Sequence, residues 1–210
     1  MKVTVIGAGN MGSAFVKQLV AAGHTVTVTA RDLDKAHATA AVHPGAEAVA
    51  ADRAAVDADV VVLATGYADA VAALQSVNPK DGQVVIDITN PLTADYMGLT
   101  LGHTTSAAEE IARAVPGVRL VKGFNTVFAQ MLAEGADLGG GRKLSVFLAS
   151  DDAPAKATVQ ALAESLGFET IDAGGLRNAR YLEPLAGLNI YLGYGAGRGT
   201  GIAPTWVSRA

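Results

Sequence analysis

Gly7-Ala8-Gly9-Asn10-Met11-Gly12 carries glycines at a spacing that can cradle a pyrophosphate. The run follows a short β-branched stretch and opens a stretch of helical apolar spacing, the context in which G-x-G-x-x-G binds a dinucleotide. There Gly7 makes the tight turn, Gly9 lets the backbone approach the phosphates, and Gly12 lets helix and strand pack closely. Ala8, Asn10 and Met11 complete the loop, and the helix N-terminus adds free N–H groups and partial positive charge. Without a ligand the same residues are a turn and a packing glycine.

A second position selects the cofactor. NAD sites usually place a carboxylate at the end of the second strand, and here that end reads Thr29-Ala30-Arg31. An uncharged residue followed by Arg31 suits a 2′-phosphate, and Lys35 lies one helical turn further on. Asp32 reads as the N-cap of the next helix. The alternative for Arg31 and Lys35 is a solvated charged face. These residues predict NADP(H) over NAD(H). Ala64-Thr65-Gly66 ends the fourth strand, where small residues leave room for ribose and nicotinamide. Asn90-Pro91-Leu92 ends the fifth. Asn90 is a candidate for the carboxamide or ribose, or simply a strand-ending turn. Asn125 and Thr126, after the next strand, should face the nicotinamide on the same edge, with Leu92 beside an apolar slot for substrate.

No residue stands out as a proton-transfer catalyst. Of the four histidines, His24, His37 and His43 fall in turns or on the adenosine-side helix, and His103 lies in a loop. Lys122 reads as an ordinary strand-end lysine. Cysteine is absent and no His–carboxylate spacing suggests a metal. A site without acid or base suits direct hydride transfer to a second ring cofactor that carries its own chemistry. It disfavours reduction of a small imine or hydroxyacid, and a non-catalytic NADP(H) sensor would need no second slot.

The elements that must position these residues alternate strand and helix from the start. Strands are expected at Lys2–Ile6, Thr25–Ala30, Ala46–Ala50, Val60–Thr65, Gln83–Thr89, Val118–Lys122, Lys143–Ala149 and Glu169–Asp172, with helices between most of them. Ser106 and Glu109 form a capping box. Arg180 and Glu183 sit three apart and can pair on one helix face. The tail from Gly193 to Ala210 is glycine-rich. This pattern predicts an α/β fold: a Rossmann-type doubly wound parallel sheet with a small C-terminal α/β extension. The expected division is 1–122 for the NADP-binding domain and 123–210 for a smaller part closing the acceptor cleft. In 210 residues, 50% are hydrophobic and 17% charged, which supports a sizeable core and excludes disorder. A net charge of −4 without a basic block excludes a nucleic-acid surface. With no apolar run near about 20 residues, no membrane span is expected, and a cytoplasmic protein is.

The chain resembles the NADP-dependent reductases of the deazaflavin coenzyme F420, and is similar to the cytosolic nucleotide domain of the six-transmembrane ferric reductases. Four places carry the resemblance: Gly7 to Gly12; Arg31 with Lys35; Lys122 to Thr126; and Asp172 to Glu183, which no general dinucleotide-binding pattern demands. The resemblance implies a homodimer that stacks NADP(H) against F420 or a flavin. It implies that the glycine loop holds the pyrophosphate, that Ala30, Arg31 and Lys35 hold the 2′-phosphate, and that Ala64 and Thr65 flank the nicotinamide. Asn125, Thr126 and Ala129 would line the cleft where the rings meet. Where deazaflavin reductases often carry His, this chain has Asn125, as in the ferric-reductase domain, which passes hydride to a flavin.

Overall fold

The computed structural model describes residues 1–206; of the glycine-rich tail, 207–210 lie outside the described residues. Six runs form parallel strands; the central β-branched and apolar ones are covered on both faces, while the edge run Ala46–Ala48 leaves Glu47 exposed. They are β1 (Lys2–Ile6), β2 (Thr25–Thr29), β3 (Ala46–Ala48), β4 (Val60–Leu63), β5 (Val84–Asp87) and β6 (Arg119–Lys122). Their order is β3-β2-β1-β4-β5-β6, all parallel, with Val5 opposite Val28 on one side and Val62 on the other. The chain reverses its direction of winding between β1 and β4, which opens a crevice beyond the strands' carboxyl ends.

Helices cover both faces: α1 (Asn10–Ala21), α2 (Leu33–Ala41), the single turn α3 (Ala51–Ala54), α4 (Tyr67–Ser76) and α5 (Ala107–Ala114). Asp32 caps α2, accepting from the Asp34 N–H at 3.2 Å; Ser106 caps α5, its hydroxyl accepting from the Glu109 N–H at 3.2 Å and donating to Glu109 Oε2 at 2.7 Å, so the expected box closes through the Ser106 hydroxyl and not through its backbone N–H. Beyond β6 come α6 (Ala129–Glu134), β7 (Ser145–Leu148), α7 (Ala153–Ser165), β8 (Glu169–Asp172) and α8 (Ala179–Ile190), which ends in a π-helical turn over Tyr191–Gly195. β7 and β8 pair in parallel as a second, two-stranded sheet. It joins the large sheet at one antiparallel bridge, where Lys122 and Ala149 exchange backbone hydrogen bonds of 2.9 and 3.0 Å.

One buried apolar cluster runs through both sheets, from Val5 and Val62 to Val146 and Leu148. Phe124 stacks edge-on against Phe15 of α1 and against Phe168 near β8, with ring centroids 5.0 and 5.5 Å apart. Each such pair adds about 0.5–1.5 kcal/mol beyond burial. Several expectations need correction. β4 ends at Leu63 and β5 at Asp87, short of Thr65 and Thr89; Ala64 still donates its N–H to the Ile6 carbonyl at 2.9 Å, and Ala64, Thr65 and Asn90 line cavities beyond the strand ends. The unexpected α6 docks on α1, where Lys17 and Gln18 both donate to the Ala133 carbonyl. Arg180 and Glu183 do not pair. Arg180 instead grips Glu109 at 2.8 and 2.7 Å, and Glu183 turns inward.

Candidate functional site

The three glycines of the first loop do different work. Gly7 has φ +116°, donates its N–H to the Thr29 carbonyl at 2.7 Å, and would overlap the Ala64 carbonyl if it carried a Cβ. A Cβ on Gly12 would overlap the Gly7 carbonyl. Gly9 has an ordinary φ of −84°, and a Cβ there would meet no protein atom within 4 Å. Neither packing nor backbone requires glycine at position 9; the space above it is left for something outside the chain. Gly9 also caps α1 without a side-chain bond, and the first turn of α1 holds no acidic residue. The α1 N-terminus therefore offers an anion free N–H groups with no carboxylate in its own first turn.

A cleft of about 730 Å³ begins there. Gly7, Ala8, Gly9, Ala30, Arg31, Lys35, Ala64 and Thr65 all line it. Arg31 and Lys35 stand at its mouth with exposed carboxylate neighbours only: Asp69 at 3.6 Å and Asp32 at 3.9 Å. Exposed pairs of this kind contribute about 0–1 kcal/mol, so both cations are free to exchange them for a phosphate. Two buried hydroxyls on the cleft wall, Thr29 Oγ1 and Thr65 Oγ1, have no partner. Buried polar groups are nearly always satisfied, so these two fit a bound molecule with polar edges. The loop, the cations and the orphaned hydroxyls together fit a phosphorylated dinucleotide.

On the other side of the loop lies a slot of about 270 Å³. Asn10 and Met11 line this slot rather than the larger cleft, as do Asn90, Asn125, Thr126 and Ala129. Asn90 and Asn125 are paired: Asn90 Nδ2 donates to the Asn125 carbonyl at 2.9 Å, and Asn125 Nδ2 donates to Asn90 Oδ1 at 3.1 Å. Asn125 Nδ2 also donates to the Leu182 carbonyl at 2.9 Å, while its own Oδ1 is buried without a partner. Phe124 just before it holds φ at +59°, rare for a bulky residue. Its ring is anchored in the core, so the aromatic packing supports the strained turn that presents Asn125. Among the described residues no carboxylate, histidine or lysine lines the slot; its titratable residues are Tyr96 and Tyr194, both exposed.

Leu92 does not line the slot. It forms a β-bridge with Leu99 inside the loop after β5, where the Thr93 hydroxyl organises a local turn with Asp95 and Gly98. Lys122 is no ordinary strand-end lysine: it is fully buried among carboxylates. Sequence reasoning missed Asn189, whose amide on α8 donates to the Thr126 carbonyl at 3.1 Å. The available signal was a lone amide within the otherwise apolar second half of α8, from Pro184 to Ile190, which needs a partner once buried. Tyr67, opening α4, has its hydroxyl held above the ordinary tyrosine range by partial burial and then by Glu110, Glu183 and Asp87.

The family model for coenzyme F420-dependent NADP oxidoreductases matches residues 2–91. The F420-dependent NADP reductase of Methanothermobacter marburgensis is 32% identical over 211 residues, covering 91% of this chain and 92% of that protein. The chain belongs to this family. Rat metalloreductase STEAP3 is 29% identical over 185 residues, covering 88% of this chain, though the chain spans only 36% of that longer protein. A solved structure assigned as an F420-dependent NADP-reductase from Arthrobacter sp. FB24 superposes with a TM-score of 0.84 at 33% identity, covering 95% of this chain and 96% of the other. The F420-dependent NADP oxidoreductase fold thus extends past the glycine-loop half, through the small sheet and α8.

Proposed function

We propose that this protein transfers hydride between NADPH, held in the larger cleft, and the ring of coenzyme F420 or a flavin, held in the slot. The observation that carries the reading is that two cavities flank the Gly9–Met11 segment, one edged by cations and the other, among the described residues, without carboxylate, histidine or lysine. When bound, the two cofactors supply the redox chemistry themselves. The protein's residues then bind and orient. The Gly7–Gly9 backbone and the α1 N-terminus receive the pyrophosphate, Arg31 and Lys35 receive the 2′-phosphate, and Thr65 meets the nicotinamide end. Asn125 Oδ1, buried and unpartnered, is available to a ring N–H of the acceptor. Reduction of an imine or hydroxyacid would call for a positioned proton donor, and among the described residues the slot's titratable groups are two exposed tyrosines, Tyr96 and Tyr194.

The proposal extends to a cytoplasmic homodimer. Tyr181, Leu188 and Tyr191 are exposed on α8 and its end, at spacings that put them on one face. A chain without cysteine suits a reducing compartment, and among the described residues no helix is long and apolar enough to cross a membrane. The test is NADPH oxidation with F420, FMN, FAD and no acceptor in parallel. Turnover with a ring acceptor alone supports the reading; turnover only with a carbonyl or imine substrate sinks it.

A further inference from the structure

Lys122, Asp87 and Glu183 are buried charges that line neither cavity. Lys122 Nζ donates to Asp87 Oδ2 at 2.9 Å and to the Thr89 carbonyl at 2.5 Å, and lies 2.9 Å from Glu183 Oε1. Both carboxylates are otherwise satisfied. Asp87 Oδ1 takes the Thr89 N–H at 2.8 Å, and Glu183 takes the N–H groups of Ala107 and Ala108 at 2.9 and 3.1 Å. Those two residues open α5, whose positive end offsets the excess carboxylate charge.

The same three segments meet a second time at the slot. Three residues beyond Asp87 is Asn90, three beyond Lys122 is Asn125, and Leu182 precedes Glu183. Asn90, Asn125 and the Leu182 carbonyl form the amide cluster of the slot wall. One peptide unit links the two clusters. The Thr89 carbonyl and the Asn90 nitrogen share a single rigid plane, so the lysine that fixes the carbonyl also fixes the direction in which Asn90 leaves it. We infer that Lys122 is a positioning residue: by clamping the Thr89–Asn90 peptide it sets the Asn90–Asn125 pair that walls the acceptor slot. That this slot takes the acceptor ring rests on the function proposed above; the clamp on the amide pair does not.

A purely structural ion cluster makes a different prediction. Removing Lys122 leaves two carboxylates uncompensated, and stability falls on either view. Removing one carboxylate as well relieves that repulsion but does not restore the clamp. The experiment compares Lys122→Met with Lys122→Met/Glu183→Gln. Its readouts are thermal melting, NADPH titration, fluorescence titration with FMN and with F420, and the side-chain amide NMR resonances of Asn90 and Asn125. The double variant is expected to regain much of the lost melting temperature while the two amide resonances stay displaced. Ring affinity should stay about tenfold or more below wild type, with NADPH affinity within about threefold. If amide resonances and ring affinity return together with stability, or if the double variant cannot fold, the lysine serves folding alone and the inference is overturned. If wild type binds neither FMN nor F420, the proposed acceptor is wrong, and the amide resonances alone decide the role of Lys122.

Discussion

Arg31 and Asp69 face each other across the mouth of the larger cleft, 3.6 Å apart, with the Arg31 side chain 90% exposed. So exposed a pair holds Arg31 only loosely, and a phosphate that accepts a charged hydrogen bond displaces the carboxylate. Losing such a bond costs about 1.5–3 kcal/mol. Arg31→Ala should therefore weaken NADPH binding by about one to two orders of magnitude and leave NADH nearly unchanged. Asp69→Asn should tighten NADPH more than NADH, since it removes a competitor and a like charge. Calorimetric titration with both nucleotides decides it; equal losses for the two in Arg31→Ala would refute the 2′-phosphate assignment.

The glycine loop gives a contrast within three residues. Gly9→Val adds a side chain where the protein has no atom within 4 Å. It should fold with a melting temperature close to wild type and bind NADPH at least about tenfold more weakly. Gly7→Val forces a β-branched residue into φ +116° and into the Ala64 carbonyl, and should be strongly destabilised whether or not nucleotide is present. Full NADPH affinity in a folded Gly9→Val variant would show that the pyrophosphate lies elsewhere.

In the slot, filling space should hurt more than deleting a contact, because hydride transfer needs reacting atoms near about 3–3.5 Å. Ala129 is half-buried and lines the slot, so Ala129→Phe should nearly abolish reduction of F420 or FMN. Asn125→Ala removes the paired amide and should raise the acceptor KM with a moderate fall in kcat. Both should retain NADPH affinity. Steady-state kinetics beside nucleotide titration tests this, and wild-type rates for Ala129→Phe would move the acceptor out of the slot.

The Arg180–Glu109 pair links stability to pH. The two-point grip of Arg180 holds the Glu109 carboxyl below its ordinary value, with the Ser106 hydroxyl assisting against partial burial. A depressed folded pKa stabilises above the unfolded value, about 4.3, and that contribution disappears as pH falls through the folded pKa. Glu109→Gln should melt lower than wild type at pH 7 and lose less on acidification from about pH 5 to about pH 3. Parallel melting curves for the two proteins across that range would assign the acid sensitivity to other carboxylates.

Local rules explain what was legible in the sequence. Val60–Thr65 reads as a buried strand from its apolar run, of which Val60–Leu63 forms the strand, the glycine loop is legible from its spacing, and the α5 cap from Ser106 and Glu109 alone. What was lost depended on distant partners. α6 begins at Ala129 after Phe128, whose side chain makes no cap bond, and the helix is held by its docking on α1. The spacing of Arg180 and Glu183 permits a pair, yet each found a better partner in α5 or β6. Lys122 reads as an ordinary strand-end lysine because Asp87 and Glu183, which neutralise it, come from other elements. Leu92 sits one residue beyond Pro91 on the same strand end as Asn90, and the turn built by Thr93 carries it away from the slot.

The backbone exchange between Lys122 and Ala149 joins the small sheet to the large one at the residue from which the Phe124–Thr126 wall departs. A hinge at that junction would break both hydrogen bonds and pull a buried ammonium from its carboxylates. The far wall of the slot is thus held at a fixed separation from the glycine loop before any ring arrives. Ring binding should then run as simple capture by an open groove, its observed rate rising in proportion to ring concentration, without the plateau that a slow closing step imposes.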